Sequence, residues 1–287
     1  MQHDPRETGR SAQGGSPTTL TVSIVTYHSP AALLQQTLAS LAAATNFARR
    51  TSFAGLDVRV SMIDNAGDLP DDVCAPLQPA AIPYEIIRGQ GNVGYGCGHN
   101  LAIRGSGADY HLVLNPDIDM APGALAEALG FMERTPDVGL LSPQAVDDGG
   151  ALQFLCRRYP ALIDLFVRGF MPESVRRYFD KRLASYEMRD AINDRDVVFD
   201  PPIVSGCFML FRTELLHRLS GFDPRYFLYF EDYDLSLRTH KLARVAYVPA
   251  VRVLHHGGGA ARKGWVHIKM FVASAFRFYN RFGWKLL

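Results

Sequence analysis

Leu112-Val113-Leu114 runs straight into Asn115-Pro116-Asp117-Ile118-Asp119. An apolar strand that meets a proline has to stop, because proline offers no N–H to a sheet ladder. If the backbone stays extended, Asn115, Asp117 and Asp119 share one face and the apolar residues the other. Oxygen ligands gathered at a strand's carboxyl end suit a hard cation such as Mg2+ or Mn2+. In open α/β sheets that edge is also where ligands bind. The stretch therefore predicts an α/β sheet with a metal–phosphate site on its rim.

The surrounding pattern fits such a sheet. Leu20–Thr26 is an apolar, β-branched run and reads as the first strand. Pro30 stands where a helix can open, with Ser29 as its N-cap, and Leu33, Leu34, Leu38 and Leu41 follow at helical spacing. Val58–Ile63 reads as a second strand ending in Asp64-Asn65, Tyr84–Ile87 as a third and Tyr110–Leu114 as a fourth. A helix over Ala124–Met132 and a strand over Val138–Leu141 follow. Strands alternating with helices imply a mainly parallel sheet with right-handed crossovers. His28, Asp64 and Asn115 then follow strands at their carboxyl ends and converge on one rim.

Between Gln153 and Val198 the pattern changes to arginines and lysines alternating with aromatics, which predicts an inserted helical segment. Sheet-like residues return at Ile203–Phe211. A helix from Thr213, another opening at Glu231-Asp232, and strand-like runs over Val245–Val248 and Val251–Leu254 complete the core. Residues 1–19 are polar and are expected to be disordered.

A chain of 287 residues can bury a large core. A net charge of +1 gives no global case for nucleic acid. The four cysteines form no CxxC pair and read as reduced, cytosolic thiols. No apolar run reaches the length of about 18 residues that a membrane-spanning helix needs. The segment from Trp265 to Leu287 is apolar and basic. Such a helix either lies on an anionic membrane surface or packs its apolar side on the core.

Each polar motif has a structural and a functional reading. Gly89-Gln90-Gly91-Asn92-Val93-Gly94 matches GxGxxG, but after the third strand and without the acidic strand end that a dinucleotide site needs. A glycine-rich loop that lets backbone approach a ligand fits better. Asp64-Asn65 suits a base or ribose, or a turn. Glu231-Asp232-Tyr233-Asp234 follows the aromatic run Tyr226–Phe230. Acids in a first helical turn complement the helix dipole, yet an acid among aromatics is also desolvated toward useful basicity. His255-His256 follows a strand and offers a further metal ligand.

Taken in order, these pieces resemble the family-two nucleotide-sugar glycosyltransferases of the GT-A fold, closest to the rhamnosyltransferase-like branch that builds bacterial surface polysaccharides. The carriers are Val22–Tyr27, Ile63-Asp64-Asn65, Asn92-Val93-Gly94 through Asn100, and Leu114-Asn115-Pro116-Asp117. In the second half they are Ser205–Leu210, Gly221-Phe222-Asp223, Phe230–Leu235 and His255-His256-Gly257-Gly258.

The resemblance implies a GT-A domain over 20–262, with the insertion at about 153–198 and a C-terminal amphipathic helix over 263–287. It implies that Thr26 and Asp64 hold the nucleotide, and that Asn92, Gly94, Asn100 and Asn115 line the donor pocket. Asp117 would bind Mg2+ or Mn2+, with His255 as the later ligand on motif position. Asp232 would be the catalytic base, with Asp119, Glu231, Asp234 and His256 in support. Asn115 stands where many relatives carry the first Asp of a DxD motif, so it offers an oxygen without charge. The implied reaction is a single displacement with inversion, in which a nucleoside diphosphate donor passes its sugar to a hydroxyl of a lipid-linked glycan. The best donor by resemblance is dTDP-rhamnose, O-antigen-type polysaccharide the setting, and the inner membrane face the place. Two arginines of the insertion, Arg157 and Arg158, are expected to meet an acceptor diphosphate. A nucleotidyltransferase, a catalytically inactive sugar-nucleotide-binding protein and, on the glycine match alone, an NAD-dependent enzyme are the alternatives.

Overall fold

The computed structural model describes residues 16–257 and 265–287. Most of the expected tail, 1–15, and the stretch 258–264 with Gly258 and Gly259 lie outside the described residues.

The first half is a parallel α/β array. Strand β1 (Thr19–Thr26) leads to helix α1 (Ala31–Thr51), β2 (Asp57–Asp64), β3 (Tyr84–Ile87), α2 (Tyr95–Gly105) and β4 (Tyr110–Leu114). A short β5 (Ile118–Met120), α3 (Ala124–Arg134) and β6 (Val138–Val146) follow. The insertion contributes β7 (Leu152–Gln153), β8 (Cys156–Arg157), α4 (Leu162–Phe170), α5 (Glu173–Arg176), α6 (Asp180–Tyr186) and β9 (Val198–Phe199). The chain closes with β10 (Ile203–Val204), β11 (Phe208–Arg212), α7 (Thr213–Leu219), α8 (Glu231–Thr239), β12 (Arg244–His255) and α9 (Trp265–Phe282).

The main sheet runs in the order β3-β2-β1-β4-β11-β6-β12-β5. Strands β1 to β4 are mutually parallel, and β6 and β12 are parallel to each other. Strand β11 is antiparallel to both β4 and β6, so all six strands point one way and β11 alone between them points back. The carboxyl ends of β1, β2, β4 and β12 therefore share a rim with the start of β11. Alternation along each strand separates two layers. Leu112 and Leu114 join α1 and α3 in one core, while Val113 joins α2, α7 and α8 in the other. A third core holds Leu165, Tyr186, Tyr226, Phe230, Phe278 and Tyr279, and ties the insertion and the aromatic run to α9.

Several expectations are corrected. Helix α1 is entered through Pro30 with no side-chain cap, so Ser29 is not its N-cap. The run 203–211 is two strands, because it breaks at Ser205-Gly206-Cys207 and β10 pairs with β8 in a separate small sheet. Val245–Val248 and Val251–Leu254 belong to one strand, whose register shifts between Val248 and Arg252. Pro249, which cannot donate to the ladder, sits in that gap. The insertion is not wholly helical, and Thr19 already belongs to β1.

Helix α9 packs on the core, through Ser274, Ala275, Phe278 and Tyr279. Its Arg281 reaches Asp223 at 2.6 Å and the fully buried Asp234 at 2.7 Å. The Arg225 guanidinium is the first cause that holds the Asp223 carboxyl down to about 2, and Arg281 adds to it. A carboxyl depressed in the fold stabilises it above its unfolded value, near 4, and that contribution is lost as pH falls toward about 2. The chain's two tryptophans, Trp265 and Trp284, both belong to this C-terminal segment, so their fluorescence reports on it. We expect an acid-induced fluorescence change between about pH 4 and 2 that Arg281→Ala weakens. The same transition in the variant would show that this pairing does not fasten α9.

Candidate active site

The rim is built from strand ends and the loops that leave them. Strand β4 ends at Leu114, and the Asn115 N–H crosses to the Cys207 carbonyl at 2.9 Å. The backbone does not stay extended beyond it. It turns at Pro116-Asp117, and β5 pairs antiparallel with the end of β12. Asn115, Asp117 and Asp119 therefore take separate partners.

Asp117 faces His255, with Oδ1 3.7 Å from Nε2. Asp117 Oδ1 is buried and has no hydrogen-bond partner among the described residues. On its far side the imidazole meets Gln153 Oε1 through Nδ1 at 2.7 Å, and the Gln153 amide donates to the His255 carbonyl at 3.1 Å. An Nδ1–H given to Gln153 leaves the Nε2 lone pair toward Asp117, as a metal-bound histidine requires. Burial pulls the His255 pKa down against the attraction of the Asp117 charge, which favours the neutral form. A Cβ at Gly257 would stand 2.3 Å from Asp117 Oδ2 and 2.8 Å from His255 Nε2, so only glycine leaves this space open.

Among the described residues no group of three or more His, Cys, Asp or Glu side chains is arranged to hold a metal ion alone. One carboxylate and one imidazole fit a divalent cation whose other positions are taken by substrate oxygens, as Mg2+ commonly uses them. His256 is turned elsewhere. It bridges Asp119 at 2.9 Å and Asp148 at 2.6 Å, and the Gln36 amide donates to Asp119 at 2.5 Å. Asp119 and His256 thus form a neighbouring cluster that braces the turn, with the His256 N–H on the Asp117 carbonyl at 3.0 Å.

The second acidic group enters from α8. Asp232 Oδ2 accepts the Gly206 N–H at 3.0 Å, and Oδ1 accepts the Tyr233 N–H at 2.9 Å. Burial raises its pKa against those two N–H groups and the charge of Arg157. Glu231 beside it is buried, and its Oε2 has no partner among the described residues. Burial first, and then the Asp232 charge, push Glu231 well above the carboxylate range. Hydrogen bonds to the ionised form favour it, and Asp232 receives two such donors. Asp117 and Asp232 both act on Cys207, whose thiol burial pushes up to about 12, and both act on the buried Tyr95. The Tyr95 hydroxyl has one proton to share between Asn115 Oδ1 at 2.9 Å and the Gly206 carbonyl at 2.6 Å. Tyr95 thus stands between the Asp117 turn and the Asp232 helix.

The remaining sequence candidates form walls. Asp64 has no exposed side-chain surface, and its oxygens accept N–H groups of Gly67, Asp68 and Leu69 together with Arg88. Burial raises its pKa, and these four donors outweigh that and lower it. Its side chain shapes the loop after β2 and has no acceptor left over for a base. Thr26 is likewise engaged, its hydroxyl donating to the Ile63 carbonyl at 3.3 Å. Asn92 accepts the Gly94 N–H at 3.1 Å, and Asn100 clamps the backbone of Phe222 through both amide atoms. Asp234 is committed to Arg238 at 2.5 Å and to Arg281. The expected pair Arg157 and Arg158 diverges. Arg158 grips Asp190 bidentately at 2.9 and 2.7 Å, while Arg157 is buried beside the Tyr186 ring. Sequence reasoning missed Tyr95, Gln153 and Gly206, whose partners lie 20 to 111 residues away.

Gly94 couples the glycine loop to the acid-bearing helix. Its φ is +85° and a Cβ there would lie 2.2 Å from the Phe227 carbonyl, which also accepts the Tyr95 N–H. Gly91 has φ +67° with open space around it. Left-handed backbone alone costs an alanine about 1–2 kcal/mol. Gly91→Ala should cost that much, and Gly94→Ala clearly more by urea unfolding, since the loop before Glu231 must move. Equal costs would refute the close contact.

A family model described as "Glycosyl transferase family 2" matches residues 21–220, from β1 through α7. This chain belongs to glycosyl transferase family 2. The glycosyltransferase is 31% identical over 255 residues to the N-acetylglucosaminyl-diphospho-decaprenol L-rhamnosyltransferase of Mycobacterium tuberculosis (strain ATCC 25618 / H37Rv), across 83% of this chain and 76% of that protein. It is 28% identical over 201 residues to Rhamnosyltransferase WbbL of Escherichia coli (strain K12), across 66% of this chain and 68% of the other. Its fold matches the mannosyltransferase PcManGT from Pyrobaculum calidifontis, solved in complex with GDP-Man and Mn2+. The TM-score is 0.55 at 18% identity, over 91% of this chain and 64% of that one, just under two thirds of its length. GalNAc-T7, solved with UDP, GalNAc and Mn2+, gives 0.58 at 14% identity over 85% of this chain and 44% of that one. The mostly parallel sheet flanked by helices is the GT-A architecture of these glycosyltransferases. Family membership decides against the nucleotidyltransferase and NAD readings.

Proposed function

We propose that this glycosyltransferase moves L-rhamnose from a nucleoside diphosphate, with thymidine diphosphate the first choice, to a hydroxyl of a lipid-linked glycan. The setting is bacterial surface-polysaccharide synthesis at the cytoplasmic face of the membrane. The named activities of the mycobacterial and E. coli relatives support the sugar, and the decaprenol-linked substrate in the mycobacterial name supports the acceptor class. The observation that carries the mechanism is Asp117 Oδ1, without a hydrogen-bond partner among the described residues and facing His255 on the rim that also receives Asp232.

In this reading Asp117 and His255 hold a Mg2+ or Mn2+ ion, and structural neighbours solved with Mn2+ support that choice. The ion, when bound, neutralises the charge of the leaving diphosphate. Asp232 accepts the proton of the acceptor hydroxyl as its oxygen bonds to the anomeric carbon and the bond to the diphosphate breaks. A single displacement inverts that carbon and needs no covalent nucleophile. Glu231, buried beside the base, disfavours a second negative charge there. Tyr95 and Asn115 fix the wall between the two acids. Thr26, Asp64, Asn92, Gly94 and Asn100 shape the donor pocket through the loops they hold.

The test is a panel of nucleotide sugars offered with a polyprenyl-diphosphate-linked N-acetylglucosamine acceptor and Mn2+. Acceptor-dependent diphosphate release should be fastest with dTDP-rhamnose. A preference for a uridine- or guanosine-linked hexose would refute the donor assignment, and release that ignores the acceptor would refute the acceptor class.

A further inference from the structure

Helix α9 buries one face and leaves the other open. The outer face carries Trp265, Lys269, Val272 and Phe276 at helical spacing, with Trp265 80% and Phe276 57% exposed. Val266 lies beside this stripe, and the tail after the helix adds exposed Trp284, Leu286 and Leu287. The Trp284 ring meets Phe276 at 5.6 Å, so helix and tail form one surface. Large apolar side chains grouped in this way mark an interaction site.

The charged residues of the helix and tail themselves are of one sign. From Trp265 to Leu287 there is no Asp or Glu, while Lys269, Arg277, Arg281 and Lys285 are basic. Arg281 turns inward to Asp223 and Asp234, which leaves Lys269, Arg277 and Lys285 at the exposed border. Lys285 and Leu287 also line a cavity of about 330 Å³ with Arg158 and Arg182, whose charges are met by Asp190 and Asp164.

We propose that the outer face of α9 and its tail dock the protein on an anionic lipid bilayer. Aromatic and aliphatic side chains flanked by lysine and arginine are the composition of a helix lying in the membrane interface. No helix among the described residues is long and apolar enough to cross a membrane, so α9 lies along it. A second copy of the chain is the poorer occupant, because a symmetric contact would set these like charges against each other. The two sequence readings of this helix are therefore compatible, with one face for each.

The inner face explains what docking would do. Ser274 Oγ donates to the Leu228 carbonyl at 2.9 Å, His267 Nδ1 meets the Tyr229 hydroxyl at 3.0 Å, and Phe271 and Phe278 pack on Phe230. Those residues run directly into Glu231-Asp232. One helix, about 10–12 Å across, thus separates the lipid surface from the segment that presents the base. This last step rests on the proposed lipid-linked acceptor; the docking itself does not.

The full chain is mixed with vesicles of phosphatidylcholine alone or with phosphatidylglycerol, without donor or acceptor. It should sediment with the anionic vesicles at low salt, with a blue shift of tryptophan fluorescence, and release at about 0.5 M salt. Trp265→Glu with Val272→Glu should weaken partition by about tenfold or more, and Lys269→Glu should weaken it less. These exposed positions leave the unfolding midpoint and turnover of a short, water-soluble acceptor unchanged. Indifference to anionic vesicles at low salt would overturn the proposal. So would binding that survives these substitutions, or a dimer in sedimentation that they abolish while vesicles are ignored. Failure of the acceptor reading would appear instead as absent turnover with intact vesicle binding.

Discussion

Asp232→Asn should lower kcat by about 10²–10⁴-fold and leave donor affinity nearly unchanged. Asparagine keeps the shape, and its amide oxygen can still accept the Gly206 or Tyr233 N–H that Asp232 accepts now. What it removes is the basic site. Were Asp232 only a structural residue in the first turn of α8, the substitution would leave turnover almost unchanged, since asparagine keeps an oxygen for one of the two N–H groups. The elevated Asp232 pKa adds a second signature. Its base form is lost as pH falls through that raised value, so the acidic limb of the kcat/KM profile should lie higher than an exposed aspartate would place it. Near-normal turnover in Asp232→Asn would remove Asp232 from the mechanism.

The second large effect is expected at Asp117. Asp117→Ala should cost about 10²-fold or more in kcat/KM. The fold should survive, because Asp117 Oδ1 has no hydrogen-bond partner among the described residues and lies 3.7 Å from the His255 imidazole. Excess chelator should reduce the unaltered protein to the level of this variant. His255→Ala should cost less, since the carboxylate remains. Full turnover in chelator would sink the metal role of both residues.

The strands of the first half were readable because apolar, β-branched runs end in proline or polar residues there. Tyr84–Ile87 and Tyr110–Leu114 have the observed limits. The convergence of His28, Asp64 and Asn115 on one rim follows from parallel strands alone. Its internal wiring was not readable. Proline was expected to end β4, and it does, but the reversal of β5 onto β12 depends on a partner more than 130 residues away. Asp64 shows the same limit. An acid at a strand end suits a ligand or a loop equally well, and only the geometry of Gly67, Leu69 and Arg88 shows its oxygens engaged. The division of labour between His255 and His256 likewise comes from Gln153 and Asp148, which periodicity does not reveal. The family match ends at residue 220, so the roles of Asp232 and His255 rest on the geometry of this rim.

The central claim is that this rim binds a nucleoside diphosphate through a divalent ion held by Asp117. Calorimetric titration of thymidine diphosphate tests it most directly, with Mn2+ and with chelator, on the unaltered protein and on Asp117→Ala. The account predicts binding that strengthens by about tenfold or more with Mn2+, and no such gain in the variant. Equal affinity in chelator, or a full Mn2+ gain in Asp117→Ala, would contradict it.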